Sequence, residues 1–128
     1  MDCRVRAPVG WPWVNVANAD LSGRDLSSID LSNAVLTNIN VNSTIMPNTS
    51  NQLAHTRVSG AAGSIAGLAA GFILTSGYLV GPGVDLSNCT LNGVSLASFS
   101  LAGADLTRCT ISGSNLQNAT LTNVNFTN

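Results

Sequence analysis

Six aspartates, one histidine and three cysteines are the side chains here with the chemistry for catalysis or metal binding. The acids are Asp2, Asp20, Asp25, Asp30, Asp85 and Asp105, and the histidine is His55. A hydrolytic centre needs a nucleophile, a base within reach of it and a group that orients the base. With a single histidine, in a polar stretch beside Arg57, no Ser-His-Asp, Cys-His or metal-ligand spacing can be assembled. His55 reads as a solvated loop residue. Cys3, Cys89 and Cys109 are too widely spaced for a zinc signature or a disulfide framework. Gly81-Pro82-Gly83 is a turn and not a phosphate loop, because no Lys-Ser/Thr pair follows it. No catalytic, cofactor-binding or metal residue is assigned; neither an enzyme nor a cofactor is expected.

The composition narrows the field further. At 128 residues the chain makes one domain. Only 9% of residues are charged, with no Lys and no Glu, and the net charge is −1. Nucleic acid binding would need a basic stripe, and there is none to build it from. Aromatics are 5%, so burial must come from stacked Leu, Val and Ala; each buried Leu contributes roughly 1.5–3 kcal/mol. The opening MDCRVRAPVGWPW lacks a long apolar run, so no secretory signal is expected, and the compartment is read as intracellular or within an assembly.

The elements that must position these residues follow a period of five. Residues 84–128 divide into VDLSN, CTLNG, VSLAS, FSLAG, ADLTR, CTISG, SNLQN, ATLTN and VNFTN. The central place is always large and apolar: Leu86, Leu91, Leu96, Leu101, Leu106, Ile111, Leu116, Leu121 and Phe126. Residues 14–43 repeat the pattern around Val16, Leu21, Leu26, Leu31, Leu36 and Val41. Five fits neither a helix nor a strand, so this is an internal repeat. The pattern resembles the pentapeptide-repeat family, A-(D/N)-L-(S/T)-x. The resemblance implies an all-β fold, a right-handed quadrilateral β-helix with four pentapeptides per coil and the central and first residues inside. Arg24 departs from it, standing at a first position; either its stem reaches out to water or the coil is distorted there.

Four segments are expected: an N-terminal cap over 1–13 containing Trp11 and Trp13, repeats over 14–43, an insertion over 44–83, and repeats over 84–128. Residues 44–57 read as loop. Residues 58–84 carry no charge and hold Gly63, Gly67 and Gly71 at four-residue spacing, so a membrane helix over 58–80 is the competing reading. Gly77, Gly81, Pro82 and Gly83 favour strand and turn instead. GFILTSGYLVGPGVDL also resembles an insertion recurrent in the family, with Phe72 where that insertion has Trp. The insertion is a whole number of fives long, so the phase is preserved across it. Full extrusion would stack Leu26, Leu86, Leu106 and Phe126 in one inward column and Leu31, Leu91 and Ile111 in a second. Val16, Leu36, Leu96 and Leu116 would form a third, and Leu21, Val41, Leu101 and Leu121 a fourth. It would also place Cys89 over Cys109, there expected as two buried thiols.

The function expected is a non-enzymatic scaffold for protein–protein interaction. Its candidate contacts are Phe72, Ile73, Leu74, Tyr78 and Leu79 in a protruding insertion, and Phe126 in an open last coil. Partners would be other chains, or a second copy through that coil, with no nucleic acid. Two alternatives are weighed: a mimic of duplex DNA that binds gyrase, as some of the family do, and a membrane-associated subunit through 58–80. Six aspartates against five arginines disfavour the first.

Overall fold

The computed structural model describes residues 13–128. The unit is a pentapeptide that ends in a turn. From residue 84 on, the carbonyl of the central residue accepts the N–H three residues on: Leu86 from Cys89, Leu91 from Val94, Leu96 from Phe99, Leu101 from Ala104 and Leu106 from Cys109. The residue just before that N–H is left-handed in each case: Asn88, Gly93, Ser98, Gly103 and Arg108 have φ between 56° and 72°. A turn with positive φ at its third residue is type II, which favours Gly and Asn there. That is why the fifth place is so rich in those two residues.

The turns bring each pentapeptide onto the one a coil later. Parallel bridges join Asp85 to Asp105, Thr90 to Thr110, Ser95 to Asn115, Ser100 to Thr120 and Asp105 to Asn125. Each bridge joins residues as far apart in sequence as Cys89 and Cys109, a separation of 20, and a bridge falls at every fifth residue. One coil therefore has four faces. At the N-terminal end the same ladder links β1 (Asn15–Ala17), β2 (Val35–Thr37) and β3 (Arg57–Ser59) into a parallel sheet. Of the expected inward residues, Leu21, Leu26, Leu31, Leu36, Leu86, Leu91, Leu96, Leu101 and Leu106 are at most 3% exposed. Ile111 and Leu116 are half-buried, and Leu121 is 37% exposed, because nothing stacks on the last coil among the described residues. Arg24 is exposed while its carbonyl still takes the Ile45 N–H at 2.9 Å. The coil is regular there and the side chain simply turns outward.

The insertion is not extruded whole. Ile45 bridges Asp25, Met46 is 1% exposed, and the buried Thr44 hydroxyl donates to the Leu21 carbonyl at 2.7 Å. The repeat therefore continues past residue 43. The next coil is lengthened by two around the short 3-10 turn Asn51–Leu53, so that Val35 pairs with Arg57 and not with His55. Residues 57–67 form about half of a further coil, with bridges from Asn40 to Ala62 and Ile45 to Gly67. Only then does the chain leave the solenoid, as the antiparallel hairpin β4 (Ile73–Thr75) and β5 (Tyr78–Val80). The membrane-helix reading of 58–80 gives way to these strands. No helix among the described residues is long and apolar enough to cross a membrane.

The hairpin does not protrude. Its tip folds back, and the Gly77 carbonyl accepts the Ala61 N–H at 3.0 Å. Leu79, Val80 and Phe72 join the core cluster. Phe72 packs close against Gly81, where a Cβ would overlap its ring. The Asp85 N–H bonds the Thr56 carbonyl, as Asp105 bonds Val84 one coil on, so Asp85 stacks over Arg57 with the hairpin taken up between them. The columns therefore differ from the expected ones at the junction. Leu86, Leu106 and Phe126 continue Val16, Leu36 and Val58, half a turn away from Leu26.

The packing at Gly63 is testable. A Cβ there would lie 2.7 Å from the Asn42 backbone nitrogen, and φ is +99°. At Gly23, φ is +68° with open space around it. Gly23→Ala is expected to cost about 1 kcal/mol from backbone conformation alone, and Gly63→Ala about 3 kcal/mol with the added overlap. Thermal melts followed by circular dichroism would check this; equal melting temperatures would contradict it.

Candidate interaction surfaces

The aspartates serve the turns. Asp20, Asp25, Asp30, Asp85 and Asp105 each accept, through Oδ1, the backbone N–H two residues on, at 2.8–3.0 Å. Asn40, Asn115 and Asn125 do the same. This local bond is why Asp and Asn suit the second place of a repeat. The Ser22 hydroxyl, then its N–H, holds the Asp20 carboxyl below its ordinary value; Ser27 and Ser32 do so for Asp25 and Asp30. A depressed folded pKa stabilises above the unfolded pKa, and that stabilisation is lost as pH falls through the folded one. These carboxylates are so exposed that the effect is small.

His55 is exposed at a left-handed corner, φ 57°, in keeping with a solvated residue. Cys89 and Cys109 do lie one coil apart, with Cα atoms at 4.5 Å. They form a disulfide and not the two thiols expected. Stacked first positions bring the Cα atoms within the range a disulfide spans. Most of the proposed N-terminal cap, including Trp11, lies outside the described residues. Trp13 is 77% exposed at a left-handed corner, φ 66°, so its ring does not cover the first layer.

The expected contact residues divide. Phe72 and Leu79 are 6% and 1% exposed and belong to the interior, which removes them from any docking surface. Ile73, Leu74 and Tyr78 are half-buried on the hairpin. Phe126 is 45% exposed on the last coil. Ile73 and Leu74 form one wall of an open hollow of about 460 Å³, whose other wall is residues 63–68. Sequence reasoning missed that wall because its coil is out of phase by two. The hollow carries no titratable side chain, so what it offers a partner is apolar contact and backbone hydrogen bonding along β4, whose outer edge is unpaired among the described residues.

No curated protein matches the chain by sequence. Among solved structures it is similar to HetL, a pentapeptide repeat protein involved in heterocyst differentiation regulation from the cyanobacterium Nostoc sp., at 21% identity and a TM-score of 0.33. The alignment covers 86% of this chain and 39% of HetL, so the chain spans well under half of that protein. The family description "Pentapeptide repeats" matches in 8 copies over residues 13–49 and 85–128. On that match, the bridges at every fifth residue and the turn at the end of each repeat, the chain belongs to the pentapeptide-repeat family.

Proposed function

We propose that this chain is a non-enzymatic scaffold that binds other protein chains through the hairpin side of a right-handed, four-sided solenoid. The observation that carries the reading is the hairpin. It presents half-buried Ile73, Leu74 and Tyr78 and the unpaired edge of β4 over a neutral hollow. Small neutral faces of Asn, Ser and Thr surround it, and such surfaces dock by shape and hydrogen bonding. A second copy meeting the last coil at Leu121 and Phe126 is the further contact the reading includes. The duplex-mimic alternative draws no such support. The five described aspartates fall in four columns around the coil, with Asp85 and Asp105 the one stacked pair, whereas a mimic needs a continuous row of charge.

Deleting 58–80 would remove Leu79 and Val80 from the core, so the test is a single substitution on the half-exposed side of the hairpin. Leu74 is half-buried and paired across the hairpin with Leu79, so Leu74→Asp is expected to keep the fold while lowering its melting temperature by several degrees. It should lower capture of cross-linked partner chains at least tenfold, counted by quantitative mass spectrometry. Equal capture by Leu74→Asp and the natural chain would refute the hairpin as the contact element.

A further inference from the structure

A second surface lies on the face that carries Arg57, Asp85 and Asp105. Trp13, Asn33 and His55 follow one another up one corner of the solenoid, all with positive φ. Gly83 and Gly103 continue that corner without side chains. The corner and the adjoining face enclose a groove of about 310 Å³, lined by Trp13, Asn33, Val35, His55, Asp85 and Asp105. Trp13 is the most exposed large hydrophobic residue described.

Among the described residues the charges in the groove do not balance. Asp85 and Asp105 are partners in one parallel bridge, and like charges directly opposite each other on a sheet destabilise it. Arg57 is the near counter-charge. Its Nη1 lies 3.8 Å from Asp85 Oδ2 and donates to Ser87 Oγ at 2.7 Å. That leaves one carboxylate without a counter-charge among the described residues, because Asp105 is bonded to the N–H and hydroxyl of Thr107, which are neutral. The face therefore calls for a cation. A metal ion fits poorly, since no group of three ligating side chains occurs among the described residues. An indole and an imidazole at the other end suit a guanidinium or an apolar side chain instead. From Trp13 to Asp105 is four coil steps of about 4.8 Å each, or about 19 Å. An extended chain at about 3.3 Å per residue covers that with about six residues.

From this geometry we infer that the groove binds a short, extended, arginine-containing segment of a partner chain, lying along the solenoid axis with a guanidinium between Asp85 and Asp105. The inference rests on the scaffold reading and adds the chemistry of one partner segment.

The probe is fluorescein-labelled hexaarginine, titrated into the full chain and followed by anisotropy at low and physiological salt. Asp85→Asn with Asp105→Asn is expected to weaken binding at least tenfold. The turns survive that change, because Asn40, Asn115 and Asn125 accept the same N–H. Asp20→Asn with Asp25→Asn removes equal charge from other faces and is expected to change binding less than twofold. Trp13→Ala is expected to weaken it severalfold. No binding, equal loss in the two double variants, or no effect of Trp13→Ala would overturn the inference. Calcium ions that bind the natural chain but not the Asp85→Asn/Asp105→Asn variant would also overturn it, assigning the pair to a metal. The two readings fail separately. Intact hexaarginine binding with unchanged capture by Leu74→Asp removes the hairpin alone, whereas lost hexaarginine binding with hairpin-dependent capture removes the groove alone.

Discussion

Leu101→Asp is expected to unfold the solenoid outright, while Leu121→Asp, one coil later in the same column, is expected to leave it folded. Leu101 is 1% exposed, and its N–H bonds the Thr120 carbonyl, so coils close over it on both sides. A carboxylate there would have no partner, and the penalty of several kcal/mol compares with a total stability of about 5–15 kcal/mol for a domain. Leu121 is 37% exposed, so the same charge can reach water. Far-UV circular dichroism and melting of the two variants decide the matter. A folded Leu101→Asp protein with an unchanged melt would mean that the fifth-residue columns are not the core.

Removing the disulfide is the second change with a large expected effect. Cys89 and Cys109 are 20 residues apart, so the bond closes one full coil on itself. Cross-linking a loop of that length restricts the unfolded chain by about 3 kcal/mol, and its loss is expected to lower the melting temperature by roughly 10 °C. Calorimetry of Cys89→Ala with Cys109→Ala, in a Cys3→Ser background that removes thiol exchange, measures it. Melting unaltered by both the substitutions and a reductant would show that the bond contributes nothing. Two free thiols found under non-reducing conditions would restore the expectation of small buried hydrophobes.

How much of this was legible in the sequence depends on where the fives are kept. Leu86 to Leu121 announce their columns because each falls in phase, and the corner residues Asn88, Gly93 and Gly103 announce the turns. The insertion hid a coil for a physical reason. A regular coil would set Val35 against His55 and Arg57 against Gly77; the partners are Arg57 and Asp85 instead. The two excesses, of two and of eight, together make ten, which is again a multiple of five. The phase therefore returns at Leu86 although the chain has stayed in the stack, which is what made full extrusion look sufficient. Within the hidden coil, Val58 and Leu68 keep the spacing of two repeats, but Gly63 between them supplies no large side chain to mark it. The candidate site was legible only in part. Composition pointed to the apolar hairpin, yet nothing in the spacing tells that Phe72 and Leu79 are buried while Leu74, paired across the hairpin with Leu79, stays half-exposed. Nor could the Asp85–Asp105 groove be seen without the coil that sets Arg57, His55 and Trp13 beside it.

The hairpin also leaves a seam in the stack. From Asp85 onward, successive coils are tied by backbone bonds on all four faces. Across the seam, the described backbone bonds are His55 to Gly83 and Asp85 to Thr56, both near one corner, and Ala61 to Gly77 at the hairpin tip. A linear array is only as cooperative as its weakest nearest-neighbour junction. The chain is thus two coupled arrays, 13–67 and 85–128, and the second alone is cross-linked through Cys89 and Cys109. Heating or force should break that cooperativity at the seam. Amide exchange would then report two opening free energies in one small protein, the lower for residues 13–67.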